Sequence, residues 1–332
     1  MNRRRLVIDT DGGVDDAAAI WWALTDPRID LVAVTTVRGV VDARAAADNV
    51  LSILEVAGRR DVPVVVGTDA RIGPSPSFRP ATFIHGDDGL GNTRNIRVPA
   101  LRPVSGDATA FLGDLLLDTE DLSIVTIGPL SNLAALVRER PECVVRVREL
   151  IVMGGVASGG GNALPAGEAN IAHDPEAAAI VVAAPWRQPP LLVGLDVTHR
   201  ATLDEADFAL LAEHRLPAAA FLDAPLRFYR TYGSTFTAPD CPCHDLLAVL
   251  ALVELGLIRR APVLPLAVVT TPGPAWGSTI VDFRAPAFAR RGSGAEQTRP
   301  EGFSPWRIAL GADRPRFRRC ARHLFGEAQD GN

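Results

Sequence analysis

Short apolar, β-branched runs alternate along the chain with longer alanine- and leucine-rich stretches. Leu6–Ile8, Leu31–Thr36, Val62–Val66, Leu122–Ile127, Leu150–Met153 and Leu191–Leu195 read as buried strands. Between them, Val14–Leu24, Ala43–Ala57, Ala108–Leu117, Leu130–Arg138 and Pro175–Ala183 read as helices. Continuous apolar strands separated by helices predict an α/β fold: an open, mostly parallel, doubly wound (Rossmann-like) sheet with helices on both faces. A further helical region is expected around residues 203–260. Neither a repeat nor a linker interrupts the pattern, so residues 1–325 read as one domain and 326–332 as a flexible tail. Two breaker-rich segments, Arg71–Pro80 and Gly292–Pro305, read as loops, the second a mobile one.

In sheets of this kind ligands bind beyond the carboxyl ends of the strands. Polar residues at those ends are therefore the first places to look for chemistry. Asp9-Thr10-Asp11-Gly12-Gly13-Val14-Asp15-Asp16 places four carboxylates directly after Leu6-Val7-Ile8. Like charges this close stay ionised only if a cation or hydrogen-bond donors compensate them. Calcium or magnesium is the natural partner, because hard cations take oxygen ligands. Helix capping by Asp9 and Asp11 is the plainer alternative, but four acids are more than a cap requires.

Composition narrows the field further. A 332-residue chain with 47% hydrophobic and 22% charged residues has the makeup of a soluble globular protein with a sizeable core. Its net charge of −5 argues against an electrostatic grip on nucleic acid. All 34 basic residues are arginine, which excludes a Schiff-base or phosphate-loop lysine. No apolar stretch approaches the ~20 residues of a membrane span. The basic start Met1–Arg5 is followed by an apolar run that stops at Asp9, too short for a secretory signal. Cys143, Cys241, Cys243 and Cys320 are too few and scattered for a disulfide framework. A cytoplasmic location is the expectation.

Three distant segments add functional groups. Gly161-Asn162, Glu168-Ala169-Asn170 and His173-Asp174-Pro175 offer amides and an acid suited to several hydroxyls, as in a sugar, though loop structure alone would also use them. Cys241-Pro242-Cys243-His244-Asp245 opens an apolar helix, Leu246–Leu255. Zinc is a minor reading there, because no fourth soft ligand has suitable spacing. His85-Gly86-Asp87-Asp88-Gly89-Leu90-Gly91 by itself is a glycine-rich loop with a histidine.

Taken in order, these motifs resemble the inosine–uridine nucleoside hydrolase family from Ile8 to about Arg284. Gly128-Pro129-Leu130-Ser131-Asn132-Leu133-Ala134, Met153-Gly154-Gly155 and Asp174-Pro175-Glu176-Ala177-Ala178 belong to the same ordered set. The resemblance implies a Ca²⁺-dependent N-glycosidase that splits a ribonucleoside into ribose and free base, using a calcium-bound water activated by Asp15. Asp11, Asp16 and Asp245, with the main-chain carbonyl of Ile127, would ligate the calcium. Asn162, Glu168 and Asn170 would hold the ribose hydroxyls, and Met153 would line the sugar pocket. His244 would protonate or stabilise the departing base, with His85 near it, and Asp9 would orient the loop from behind. A homo-dimer or homo-tetramer is the family's habit. The small-molecule nucleoside is the expected partner, with neither nucleic acid nor membrane.

The chain departs from the family's pattern at Gly12, where proline is frequent, at Val40, where asparagine is usual, and at Ala169, where an aromatic is common. Phe228, Tyr229, Arg230 and Tyr232 could form a lid over the base or simply pack. Two other functions compete. A haloacid-dehalogenase-like phosphohydrolase would use Asp9 as nucleophile and Asp11 as acid. A calcium- and ribose-binding protein with little turnover would follow from Val40 and Ala169.

Overall fold

The computed structural model describes residues 3–73, 81–93, 99–213, 215–233, 240–284 and 301–326. Leu6, Val7 and Ile8 are all fully buried. Neighbours along a strand point to opposite faces, so the strand that carries them must be covered on both sides. Leu6 and Ile8 pack with the helices Val14–Thr25, Ala43–Val56 and His244–Ala251. Val7 packs on the other face with Ala108–Asp118, Ser131–Glu139 and Pro175–Ala183.

In chain order the strands are β1 (Arg4–Thr10), β2 (Ile29–Thr36), β3 (Val64–Val66), β4 (Ser123–Thr126), β5 (Leu150–Met153), β6 (Leu191–Val193), β7 (Thr202–Leu203), β8 (Cys241–Pro242), β9 (Ile258–Arg260), β10 (Val263–Val268), β11 (Thr279–Val281), β12 (Ser304–Ile308) and β13 (Gly311–Ala312). Nine form one sheet in the order β3-β2-β1-β4-β5-β6-β12-β10-β11. Every pairing is parallel except the two made by β10. This is the expected Rossmann-like sheet. The order turns back between β1 and β4, which opens a crevice at their carboxyl ends.

The early elements match the apolar pattern to within a few residues, and β5 and Pro175–Ala183 match it fully. The extension beyond β6 does not follow from that pattern. β12 pairs with β6 through Arg307 opposite Leu191, and its sequence Ser-Pro-Trp-Arg-Ile is half polar. It occupies the end of the expected loop Gly292–Pro305, whose residues 292–300 lie outside the described ones, as do 74–80 and 327–332. The strand expected to reach Leu195 stops at Val193, and Leu195–Thr198 turns into a short helix. The helical region contains Glu205–Leu211, Pro217–Gly233 and His244–Ala251, the last starting two residues earlier than expected. Among the described residues no helix is long and apolar enough to cross a membrane.

Candidate active site

At the crevice beyond β1, β4 and β5 lies a cavity of about 240 Å³. It is lined by Asp11, Asp15, Asp16, His85, Ile127, Met153, Asn162, Glu168, Asn170, His244 and Asp245. These are all the expected site residues except Asp9. They come from the ends of three strands and the starts of helices more than two hundred residues apart.

The acid loop is shaped by its glycines. Gly12 sits at φ +75°, and a Cβ there would fall 2.7 Å from the Ala46 Cα. A proline ring, fixed near φ −65°, could not take that conformation, so this departure changes the loop's shape and not only its stiffness. Gly13 caps Val14–Thr25, and its N–H donates to Asp16 Oδ2 at 2.9 Å. The Thr10 hydroxyl donates to the other Asp16 oxygen. Asp11 Oδ2 accepts from the Val40 N–H at 2.8 Å. A Cβ on Gly39 would lie 2.0 Å from that same oxygen, so the loop must be bare there. At Val40, then, the main chain holds Asp11 while the side chain lines the cavity.

All four carboxyls of the cluster are at most 4% exposed. Burial, followed by repulsion from Asp16, holds Asp11 well above the ordinary carboxylate range. Burial and the Asp15 charge do the same to Asp245. Asp16 is also raised by burial, against hydrogen bonds from Thr10 and Asp245. Asp15 is pushed up to about 7 by burial and by Asp16, although the main-chain N–H groups of Asp245 and His244 oppose the shift. Those N–H groups open the helix His244–Ala251, so its positive end faces Asp15.

Among the described residues no arginine lines the cavity. The protein therefore gathers negative charge without neutralising it, and the donors are hard oxygens that fit calcium or magnesium. Ligand atoms of Asp15, Asp16 and Asp245 all lie within 4.8 Å of one another. This trio contains Asp15 in place of Asp11, which shares the cavity but is tied to Val40. Among the described residues Cys241 and Cys243, where zinc was the minor reading, join no such trio. Both thiols are buried, and the bond to Cys241 together with burial keeps the Cys243 thiol well above its usual range.

Asp9 lies behind the cavity. It is 1% exposed and accepts from Thr35 and, at 2.8 Å, from Asn132 Nδ2. Burial raises it to about 6. A phosphohydrolase nucleophile must reach its substrate, and Asp9 is not on the cavity wall, so that alternative fails sterically. Asn132 also donates to the Thr36 carbonyl at 2.9 Å and accepts from Thr68 N at 3.0 Å, stitching β1, β2 and the loop after β3 together.

On the opposite wall, Glu168 serves as the N-cap of Ala169–His173. It accepts from Asn170 N, Gly155 N and Ile171 N. Asn170 Nδ2 donates to the carbonyls of Ile127 and Met153, both at 3.2 Å, and so clamps the ends of β4 and β5. Asn162 Oδ1 accepts from Ala169 N, which leaves its NH₂ for the cavity. These side chains build the loop and present polar atoms to the same space.

Burial disfavours the charged form of the two histidines expected at the site. Burial takes His85 down to about 4, and burial with the nearby His199 and His85 takes His244 to about 3. His85 Nδ1 accepts from the Val14 N–H, so its proton sits on Nε2. Its ring lies 5.0 Å from that of Tyr229. Tyr229 is buried on the cavity wall, whereas Arg230 turns away to pair with Glu205. The side chain of Tyr232 lies outside the described residues. The wall also includes His173 and Pro242, from segments the sequence had marked, and His199, Phe83 and Ile84, which were not singled out from sequence. Nothing in the sequence pattern marks His199, which follows the short helix Leu195–Thr198. Asp196 braces the loop after β5 by accepting from Ala157 N, Ser158 N and the Ser158 hydroxyl.

A doubly wound sheet with a carboxylate-lined, amide-flanked cavity at its switch point defines an α/β protein of the nucleoside-hydrolase type. Residues 6–319 match the family model for inosine-uridine preferring nucleoside hydrolase. The chain belongs to that family, whose members hydrolyse the N-glycosidic bond of ribonucleosides. It is 38% identical over 252 residues to a probable uridine nucleosidase of Arabidopsis thaliana, covering 75% of this chain and 77% of that one. A non-specific ribonucleoside hydrolase of Klebsiella pneumoniae is 36% identical, with 92% of this chain and 97% of that one covered. Among solved structures, a plant nucleoside hydrolase superposes with a TM-score of 0.88 at 32% identity, over 98% of this chain and 99% of that one.

Proposed function

We propose that the chain hydrolyses the N-ribosidic bond of a ribonucleoside, with Asp15 as general base. The observation that carries this reading is the convergence in one cavity of a buried carboxylate cluster, three sugar-suited polar side chains and two neutral histidines. In outline, Asp15 removes a proton from water as the water oxygen bonds to C1′. The C1′–N bond breaks, its electron pair leaves with the base, and the base collects a proton. Such cleavage passes through an oxocarbenium-like state, which the surrounding carboxylates stabilise. Asp15 lines the cavity and accepts from the N–H groups that open the helix His244–Ala251, which favour its ionised form as the proton acceptor.

Asp11, Asp16, Asp245 and the Ile127 carbonyl would hold calcium, which when bound supplies positive charge among the acids and grips hydroxyl oxygens. Asn162, Glu168 and Asn170 hold the ribose against Met153. His244, with His85 nearby, stabilises the leaving base by hydrogen bonding. A neutral histidine pushed this low gives a hydrogen bond more readily than a whole proton.

The test is release of reducing sugar from a panel of purine, pyrimidine and modified ribonucleosides, with and without EDTA. Wild type should release sugar, and Asp15→Ala and exhaustive chelation should each abolish the release. Equal rates for wild type and Asp15→Ala would refute the base assignment. Ribose binding without release across the panel would instead establish the low-turnover binding protein.

A further inference from the structure

The departing base needs a hydrogen-bond donor, and the tautomer of His244 decides whether that histidine can provide one. His244 Nδ1 lies 2.7 Å from Thr198 Oγ1. Thr198 is fully buried, and among the described residues its hydroxyl has no other hydrogen-bond partner. If this hydroxyl accepted from an Nδ1–H, its own O–H would be left buried and unmade, at a cost of about 1–3 kcal/mol. If it donates, both groups are satisfied. Thr198 is therefore the donor, Nδ1 the acceptor, and Nε2 the protonated nitrogen left to serve the cavity.

The next residue braces the same ring. His199 meets His244 edge-on, with centroids 5.6 Å apart and planes at 68°. Among the described residues its Nε2 is buried without a hydrogen-bond partner, so a bond at that nitrogen does not set where the ring sits. A half-turn of the His244 ring would put a carbon where Nδ1 meets Thr198 and lose that hydrogen bond. Both residues leave the turn Leu195–Thr198, which is fixed to the loop after β5 by Leu195 N donating to the Gly155 carbonyl at 2.9 Å. The same loop supplies the Gly155 N–H to Glu168. One rigid connection thus sets the leaving-group end and the sugar end of the cavity relative to each other.

We propose that Thr198, braced by His199, is a positioning residue that locks His244 as an Nε2–H donor directed at the departing base. The proposal rests on the ribonucleoside-cleaving reading of the cavity. As the C1′–N electron pair moves onto the base, the Nε2–H gives a hydrogen bond to the charge that develops there and keeps its proton.

The test joins spectroscopy to kinetics. In ¹⁵N-histidine-labelled wild type, the His244 signals should show an unprotonated Nδ1 and a protonated Nε2. Thr198→Val should lose about tenfold or more in kcat on inosine, with KM changed less than about twofold. The same variant should stay within about threefold of wild type on 4-nitrophenyl riboside, whose leaving group needs no donor. Thr198→Ser should restore most of the loss, and His199→Phe should lose less than Thr198→Val. An Nδ1–H signal in wild type, equal losses on both substrates, or full activity of Thr198→Val on inosine would each overturn the proposal. Wild type inactive on every nucleoside would overturn the reading of the site, and the nitrogen signals would still decide the tautomer.

Discussion

Removing the metal should cost stability in a pH-dependent way, because the acid cluster is expensive when nothing neutralises it. In the metal-free protein Asp15 is raised from 3.8 to about 7 and Asp9 to about 6, with Asp11, Asp16 and Asp245 raised as well. A carboxyl raised in the folded state contributes stability that is fully present below its unfolded pKa of about 4 and lost as pH rises through its folded value. For Asp15 alone, a rise of about three units corresponds to about 4 kcal/mol lost between about pH 4 and pH 7. A chain of 332 residues unfolds with an entropy near 0.7 kcal/mol/K at ~2.1 cal/mol/K per residue, so the loss is worth about 6 °C in Tm. Calcium should replace the protons and restore that margin. Calorimetric melts with calcium and with EDTA should therefore differ by about 6 °C near pH 7.5 and by about 2 °C or less near pH 5. Subtracting the paired melts at each pH removes the titration of groups remote from the site. A gap that does not change with pH, or no gap at all, would refute the idea that this cluster is a proton-competitive cation site.

Three substitutions probe the parts around it. Gly39→Ala puts a methyl where Asp11 Oδ2 now lies 2.0 Å from the ideal Cβ position. It should displace Asp11 and weaken calcium binding at least about tenfold by titration calorimetry, and unchanged affinity would show Asp11 to be dispensable to the metal. Asn132→Ala removes the donors to Asp9 and Thr36 and the acceptor for Thr68. The cost should be about 2–4 kcal/mol in denaturant melts, and a change under about 0.5 kcal/mol would contradict its stitching role. His244→Ala should impair hydrolysis of nucleosides far more than that of an activated aryl riboside, and parallel losses would remove it from leaving-group stabilisation.

What was legible in the sequence was local. Leu6-Val7-Ile8 fixes a strand buried on both faces, and acids that follow it at once must lie at that strand's carboxyl end. Strand–helix alternation fixes the doubly wound half of the sheet, because covering two apolar faces leaves few other solutions. Ordered motifs then named the residues that line the cavity, through family resemblance and not through spacing alone.

Tertiary structure decided what depends on contacts distant in sequence. β12 gains its place by pairing with β6, more than one hundred residues earlier, and nothing in its half-polar sequence announces a strand. Val40 looked like a lost amide, but its main-chain N–H holds Asp11, and no side-chain pattern reports a backbone donor. His173, the last residue of the helix Ala169–His173, and His199, just after the short helix Leu195–Thr198, meet on the cavity wall only in the folded chain. The charges of the acids and histidines were likewise beyond the sequence. The sequence supplied the groups, but the burial that raises Asp15 to about 7 and lowers His244 to about 3 belongs to the assembled cavity.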